Sequence, residues 1–158
     1  FATLDPVTRR AYLPSGRDVL FTDTVGFINK LPATLVAAFH ATLEELHDAT
    51  LLLHVVDVTH PKAAEQVQIV EDVLAELGLE DKPVVLTLNK VDLLAATQQI
   101  SYPRGVNLLS GHGVIDGVLI SAIQGLSLDA LLQRIDATLE EMLPNIYKQA
   151  SSSSKRRD

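Results

Sequence analysis

A chain of 158 residues with a formal net charge of −7 is long enough for one domain with its own hydrophobic core and short for two. Hydrophobic residues make up 47% of the chain but aromatic residues only 4%, so we expect an aliphatic core. The negative charge argues against a general polyanion-binding surface and against sequence-specific DNA binding. It leaves room for nucleic-acid contact through a few residues only.

The sequence also limits the chemistry and the compartment of the protein. It contains no cysteine, which excludes a disulfide framework, thiolate chemistry and a cysteine-based zinc site. No apolar run reaches the ~18 residues needed to span a bilayer, and the N-terminus does not resemble a secretory signal. We therefore predict a cytoplasmic protein without a membrane span. Because the first residue is Phe1, we also expect the chain to be part of a longer or processed protein.

The predicted elements begin with a β-hairpin. Residues 7–13 and 18–23 flank the sequence PSGR, whose proline, serine and glycine suit a tight turn. Residues 32–47 then place leucine and phenylalanine at helical spacing with polar residues between them, which predicts an amphipathic helix.

Apolar strands and a helix alternate through the middle of the chain. The nearly continuous apolar run at 50–58 predicts a strand that is covered on both faces. A helix is predicted to begin at Pro61 and to end at Gly78. Two further apolar runs, 83–88 and 118–121, predict the next buried strands.

The end of the chain and the alternating pattern predict the fold class. Ser127 is predicted to cap a last amphipathic helix, and we expect a domain over 1–147 followed by a disordered tail or linker at 148–158. Strands that alternate with helices predict an α/β fold, with a mostly parallel sheet and helices on both faces. The hairpin adds one antiparallel edge. Ligands of such sheets bind beyond the carboxyl ends of the strands.

Four polar clusters fall at the predicted ends of strands or beside them. They are Thr3 before the hairpin, Asp23 and Gly26 after its second strand, Asn89 to Asp92 after the buried run at 83–88, and Ser121 with Ala122 after the last strand. Each cluster alone is weak evidence, because Asp-x-x-Gly is often a turn and Asn or Asp often caps a helix. Their order at the ends of alternating strands predicts a nucleotide site.

Two of these clusters have the chemistry to read a guanine base. The carboxylate of Asp92 can accept two parallel hydrogen bonds, from N1–H and from the exocyclic amino group of guanine. Adenine offers no such donor pair and would leave the carboxylate unpaired. Asn89 can bond the other edge of the purine, the stem of Lys90 can lie along the base plane, and the N–H of Ala122 can donate to O6.

The remaining clusters suit a metal ion and phosphate. A carboxylate such as Asp23 holds Mg²⁺ mostly through water, and the hydroxyl of Thr3 is a second candidate ligand. Gly26 has no Cβ, so its N–H can approach a terminal phosphate closely.

Other polar residues are given structural roles. We expect His54 to be a packed or hydrogen-bonded core residue, and Asp57 to cap the turn that follows its strand. Arg9 and Arg10 are interpreted as surface charge of the hairpin.

These motifs resemble those of known GTPases. Asp23-Thr24-Val25-Gly26, Asn89-Lys90-Val91-Asp92 and Ser121-Ala122 resemble the third, fourth and fifth motifs of translation-factor-type GTPases. The stretches FATLDPVTRR, DTVGFINKLP and AFHATLEELHDATLLLHVVD resemble the HflX family of ribosome-associated GTPases. The family-specific resemblance covers residues 1 to about 60, and the general G-domain pattern continues to about 142.

The resemblance implies a P-loop-NTPase-like G domain that binds GTP or GDP with Mg²⁺, hydrolyses GTP and acts on the large ribosomal subunit. In that family the threonine that matches Thr3 binds Mg²⁺ and senses the γ-phosphate, and the implied metal ligands are Thr3 and Asp23. No catalytic residue is assigned. The implied nucleotide-binding residues are Phe1, Ala2, Thr3, Leu4, Asp5, Asp23, Thr24, Val25, Gly26, Asn89, Lys90, Val91, Asp92, Ser121, Ala122 and Ile123.

Phe27 occupies the position at which many GTPases place a glutamine that orients the attacking water. A phenyl ring cannot orient water by hydrogen bonding, and the HflX-like proteins share this hydrophobic residue. We therefore expect slow hydrolysis by the protein alone and faster hydrolysis when it is docked on the ribosome.

The phosphate-binding P-loop motif is absent, because no glycine in the chain is followed by lysine. We expect the P-loop and the first, central strand of the sheet to precede Phe1 in the parent protein. The chain alone is then expected to be poorly stable, or completed by a partner strand, and to bind GTP weakly. The alternative is a truncated, nucleotide-free interaction module without GTPase activity. An ATPase is disfavoured, because Asp92 would face the wrong edge of adenine.

Overall fold

The computed structural model describes residues 7–24, 45–95 and 117–154, without the side chains of 95 and 143–154. Residues 45–48 are helical and overlap the end of the helix predicted at 32–47, the rest of which lies outside the described residues. The order of the predicted hairpin, strands and helices is confirmed. The elements are β1 (Thr8–Tyr12), β2 (Asp18–Thr22), β3 (Leu52–Asp57), α1 (Ala63–Glu76), β4 (Val84–Asn89), α2 (Val91–Ala95), β5 (Val118–Leu119) and α3 (Leu128–Ser154).

Strands β1 and β2 form the predicted antiparallel hairpin. Thr8 pairs with Thr22 at the open end and Tyr12 pairs with Asp18 at the turn. The turn is closed by hydrogen bonds from the Leu13 N–H to the Arg17 carbonyl and from the Gly16 N–H to the Leu13 carbonyl, both 2.8 Å long. Gly16 has a φ of +82°. Glycine adopts this conformation at the lowest energetic cost, because it has no Cβ. The sequence PSGR therefore determines where the chain reverses.

Strands β3, β4 and β5 form a parallel sheet in that order. The register pairs Leu52 with Val84 and Asp57 with Asn89, so β3 and β4 begin and end level with each other. At β5, the N–H of Ile120 continues the ladder by donating to the Leu88 carbonyl at 2.9 Å. The carboxyl ends of all three strands therefore meet at one edge, which we call the C-terminal edge.

The two faces of the parallel sheet are covered by different helices. Leu88 packs with α1 in a buried aliphatic cluster made up of Val56, Val58, Ala63, Val67, Leu88 and Val91. Val85 points to the opposite face and packs with α3 in a second cluster made up of Leu13, Val85, Ile120, Leu131 and Ile135. Helix α1 ends where Gly78 adopts a φ of +67° and the Leu79 N–H donates to the Leu74 carbonyl at 2.8 Å. The predicted aliphatic core, the helices on both faces and the stop at Gly78 are confirmed.

The hairpin is a separate two-stranded sheet in the described part of the chain, with no ladder to the parallel sheet. Val19 and Phe21 pack against the second cluster, beside Leu13. At the turn, the backbone N–H and the hydroxyl of Ser15 each donate to a carboxylate oxygen of Asp136 on α3, at 2.8 Å. The hairpin is thus attached by apolar packing and by hydrogen bonds to the Asp136 side chain rather than by shared strand pairing.

Helix α3 is longer than the sequence pattern suggests. The Ser127 carbonyl accepts the first helical hydrogen bond, from the Leu131 N–H at 3.1 Å, so Ser127 occupies the predicted capping position. The backbone stays helical to Ser154, beyond the domain boundary that we placed at 147. No end of a helix marks that boundary, which stays a prediction.

Candidate functional site

Backbone hydrogen bonds join the three strands at the C-terminal edge. The N–H of Val58, just after β3, donates to the Asn89 carbonyl at 3.0 Å. The N–H of Val91, just after β4, donates to the Ile120 carbonyl at 3.2 Å. The segments that follow β3, β4 and β5 are therefore held side by side, and the polar motifs that they carry converge.

Asn89 connects two of the predicted motifs. Its side-chain oxygen Oδ1 accepts the N–H of Lys90 at 2.8 Å and the N–H of Ala122 at 3.0 Å. Because the amide oxygen is engaged by two donors, the amide group presents its NH₂ as the group available to an acceptor. The prediction gave the Ala122 N–H to the base, whereas in the structure it donates to Asn89.

Lys90 follows β4 in a left-handed conformation, with a φ of +70°. Its Nζ lies 2.6 Å from Oδ2 of Asp57, at the end of β3. The other oxygen of Asp57 accepts the N–H of Thr59 at 3.0 Å and its hydroxyl at 2.6 Å, which confirms the predicted cap. The hydrogen bond from Lys90, and then that from Thr59, lower the pKa of Asp57 to about 2. The pairing with Lys90 was not predicted, although the register that sets Asp57 opposite Asn89 explains it.

Asp92 lies in the first turn of α2 and is half-buried. Its Oδ1 atom is shielded from solvent and has no hydrogen-bond partner in the described part of the chain. Buried carboxylate oxygens are rarely left unpaired, because desolvation without a compensating hydrogen bond is costly. An N–H donor that reached this carboxylate would supply the missing hydrogen bond, which is the chemistry predicted for a guanine base.

The loop after β5 is a closed turn around Ser121. The backbone groups of Ser121 and Leu126 exchange hydrogen bonds of 3.2 and 3.0 Å, and the Ser121 hydroxyl accepts the N–H of Gln124 at 3.3 Å. Ser121 is fully buried, whereas Ile123 is 89% exposed. The buried serine anchors the loop and so fixes Ala122 next to Asn89.

The predicted metal-binding part of the site is described only in part. Asp23 follows β2, is exposed, and donates its backbone N–H to the Val7 carbonyl at 2.9 Å. No set of three or more His, Cys, Asp or Glu side chains in the described ranges could hold a metal ion. A single exposed carboxylate suits Mg²⁺, which retains several waters and takes its other ligands from phosphate. Phe1, Ala2, Thr3, Leu4, Asp5, Val25, Gly26 and Phe27 lie outside the described residues.

Three other predictions have outcomes in the structure. His54 is half-buried within β3, and burial lowers its pKa below the ordinary value, as expected for a packed histidine. Arg9 and Arg10 are exposed on the hairpin, where Arg10 pairs with Asp18. Among the described helices, none is both long and apolar enough to cross a bilayer.

Sequence comparison places the chain among GTPases. A profile of the family described as "50S ribosome-binding GTPase" matches residues 1–90. GTPase HflX of Caldanaerobacter subterraneus is 48% identical over 139 residues, and GTPase HflX of Chlamydia pneumoniae is 50% identical over 141 residues. These matches cover 88% and 89% of this chain, well beyond residue 60, but only 29% and 28% of the relatives. The chain thus spans less than a third of their length.

Structure comparison agrees on the fold. A variant of SsGBP superposes with a TM-score of 0.64 and 26% identity over 85% of this chain and 47% of that one. A variant of Era from Aquifex aeolicus, solved with GDP and AlF₄⁻, gives a TM-score of 0.57 and 22% identity over 82% of this chain and 43% of that one. The latter supports the P-loop-GTPase fold alone. Together with the family match, these findings confirm the resemblance inferred from the motifs: the chain belongs to the 50S ribosome-binding GTPase family and is an HflX-type sequence within it.

Proposed function

We propose that this chain supplies the base-reading part of a GTP-binding and GTP-hydrolysing switch of the HflX type. The observation that carries the proposal is the buried Oδ1 of Asp92, which has no partner among the described residues and lies next to an edge at which Asn89 and Ala122 are already joined. A ligand with N–H donors would supply the hydrogen bond that this oxygen lacks. The family membership of the chain supports guanine nucleotide as that ligand.

Each residue at the edge has a role in the proposed binding. Asp92 accepts from N1–H and the exocyclic amino group of guanine, and the NH₂ group of Asn89 donates to an acceptor on the purine. The N–H of Ala122 is shared between Asn89 and the base oxygen O6. The stem of Lys90 covers one face of the base. Adenine cannot satisfy Asp92, and the cost of an unpaired buried carboxylate oxygen produces the discrimination.

The phosphates and the metal are proposed to bind at the other end of the site. Asp23 and Thr3 hold Mg²⁺, the N–H of Gly26 approaches the terminal phosphate, and the ion supplies charge stabilisation for phosphoryl transfer. The P-loop lysine and glycines are not in this sequence. We propose that the working protein is an N-terminally extended form that carries them, in line with the small share of the relatives that the chain spans.

We further propose that the extended protein acts on the large ribosomal subunit in the cytoplasm. The description of the matched family names the 50S subunit, and this description supports the proposal. The net charge of −7 argues against a general attraction to RNA, so contact through a local surface is favoured.

Asp92→Asn in the extended protein tests the proposed base recognition. The variant should lose roughly 10- to 100-fold in GDP affinity, because it removes a charged acceptor that faces two donors. It should also gain affinity for a xanthine nucleotide, whose carbonyl at C2 accepts where guanine donates. Binding is measured by titration calorimetry with guanine, adenine and xanthine nucleotides.

Asp129→Asn is the matched control, because Asp129 is also an aspartate in the first turn of a helix but is exposed. It should leave nucleotide preference unchanged. Equal affinity of the unmodified extended protein for guanine and adenine nucleotides would refute the proposal.

The ribosomal part of the proposal is tested by GTP hydrolysis with and without isolated large subunits. Phe27 cannot orient the attacking water, so the expected result is slow hydrolysis that the large subunit accelerates. Small subunits serve as the control. Equal rates in all three samples would contradict this part of the proposal without affecting guanine recognition.

A further inference from the structure

We infer that Asp57 is a positioning residue for the proposed base site, which it serves by holding the side chain of Lys90 across the ends of β3 and β4. The inference rests on the proposed function and adds to it a residue that lies outside the motifs that read the base. Asp57 has no place in the recognition scheme above, and its structural role as a cap requires only one of its two oxygens.

The strand register determines where the Lys90 side chain runs. Asp57 and Asn89 are paired across the ladder, and Lys90 is the first residue after β4. Its Nζ nevertheless lies 2.6 Å from Asp57, on the neighbouring strand about 4.8 Å away. The four-carbon stem therefore crosses the C-terminal edge from β4 to β3, beside the polar atoms of Asn89.

The anchor itself is fixed in place. Oδ1 of Asp57 accepts both the N–H and the hydroxyl of Thr59, and these bonds orient Oδ2 toward Lys90. The carboxylate is only one-third exposed, and its lowered pKa of about 2 means that it is charged throughout the neutral range. A fixed, ionised carboxylate is a suitable partner for a lysine that must remain in one conformation.

A held stem matters because a free lysine side chain has many rotamers. Ordering it on ligand binding costs conformational entropy, and a side chain that is ordered in advance avoids this cost. The methylene groups of a lysine also provide an apolar surface when the charged end is directed elsewhere. With Nζ at Asp57, the stem presents such a surface to one face of a planar base, while Asn89 and Asp92 bind its edge.

Asp57→Asn in the extended protein tests this role. We expect the dissociation rate of GDP to rise about three- to fivefold, the size of effect that a partly exposed ion pair supplies. KM for GTP should rise with it and kcat should stay unchanged, because the inferred role of Asp57 is confined to base binding. Asp57→Glu keeps the charge and should recover part of the loss.

Glu65→Gln is the matched control. Glu65 forms an ion pair of 3.0 Å with Lys62 on the outer surface of α1, and the substitution makes the same change in charge. It should leave the dissociation rate unchanged. If Asp57→Asn acted only through long-range electrostatics, Glu65→Gln would change the dissociation rate by a similar amount. If it acted only by destabilising the fold, it would lower the thermal midpoint without raising KM at constant kcat.

A double-mutant cycle with Lys90→Met decides whether Asp57 acts through Lys90. If it does, Asp57→Asn should have no further effect on GDP release in the Lys90→Met background. The pKa of Asp57, measured by NMR without nucleotide, should also rise toward its ordinary value in Lys90→Met. An unchanged Asp57 pKa in Lys90→Met overturns the inference. So does a normal GDP dissociation rate in Asp57→Asn while the unmodified protein still prefers guanine. Loss of that preference in the unmodified protein overturns the proposed function as well, which separates the two failures.

Discussion

The parallel sheet and the hairpin carry different halves of the proposed site, and they are held in different ways. At the C-terminal edge of the sheet, hydrogen bonds join residues that are 33 positions apart in the chain, Asp57 with Lys90 and Asn89 with Ala122. At the open end of the hairpin, the backbone hydrogen bond of Asp23 in the described ranges goes to Val7, just before β1 of the same hairpin. The hydrogen bonds at the C-terminal edge therefore join different elements, whereas the one at the open end of the hairpin lies within a single element.

The difference shows which half of the site depends on other parts of the protein. Base recognition requires the ends of adjacent parallel strands, and the pairing of β3, β4 and β5 already places them together. The metal ligand requires the hairpin to be placed relative to that sheet. In the described ranges this placement depends on packing around Leu13 and on the contact of Ser15 with Asp136 at the far end of the hairpin. We therefore expect the base-reading edge to be the more persistent of the two.

The largest expected effect is a core substitution in the parallel sheet. Leu88 is 1% exposed and packs against α1, so Leu88→Ala should lower the free energy of unfolding by about 2–5 kcal/mol. Leu20 lies on the hairpin and is 69% exposed, so Leu20→Ala should change that free energy by less than about 0.5 kcal/mol. Urea denaturation followed by circular dichroism measures both. Equal losses would show that our contrast between the two regions is wrong.

A smaller effect is expected at the C-terminal edge. Asn89→Ala removes the acceptor of the Lys90 and Ala122 N–H groups and should cost about 1 kcal/mol, since water can replace part of the lost bonding. Amide hydrogen exchange should accelerate at Ala122 and leave the β1–β2 amides unchanged. Asn89→Asp keeps an oxygen for both donors and is the control. Faster exchange in the hairpin of Asn89→Ala would indicate that the two regions are coupled.

The smallest expected effect is the acid response of the hairpin. The hydrogen bond from the Ser15 hydroxyl is the main cause that lowers the pKa of Asp136. The ionised Asp136 carboxylate therefore contributes its full stabilisation above the pKa that it has in the unfolded chain, about 4. As the pH falls through the lower, folded pKa, protonation removes that contribution. The protection factors of the hairpin amides, which are corrected for the intrinsic exchange rate, should therefore fall as the pH drops below about 4 in the unmodified chain.

Asp136→Asn should already show fast exchange of the hairpin amides at neutral pH and little further change in acid. Asp57→Asn is the comparison for the other region, because the pKa of Asp57 is also lowered, to about 2, but by partners at the C-terminal edge. If the hairpin amides of Asp136→Asn still respond to acid as those of the unmodified chain do, groups other than Asp136 cause that response.

The local elements could be predicted from the sequence because their signals are local. PSGR specifies the turn, Gly78 closes α1, and the apolar run at 50–58 contains β3, whose observed bounds are Leu52–Asp57. The patterns could not show that the hairpin forms a sheet of its own in the described ranges, because strand pairing depends on which edges meet in space.

The contacts within the candidate site were harder to predict. The Asp57 cap onto Thr59 spans two residues and follows from the local sequence. The pairing of the same carboxylate with Lys90 requires that β3 and β4 end level with each other, which no local pattern encodes. The attachment of Ser15 to Asp136 spans 121 positions and depends on α3 packing next to the hairpin turn.

The sequence alone determined the types of group at the site: carboxylates at Asp23 and Asp92, an amide at Asn89 and a small residue at Ala122, each after a predicted strand or hairpin. Only the tertiary structure decided how these groups are used, since it gives the Asn89 oxygen to Ala122 and leaves a buried oxygen of Asp92 without a partner among the residues that the structure describes. The physical reason is that residue type sets which hydrogen bonds a group can form. Strand register and loop closure set which partners come within 3 Å of it.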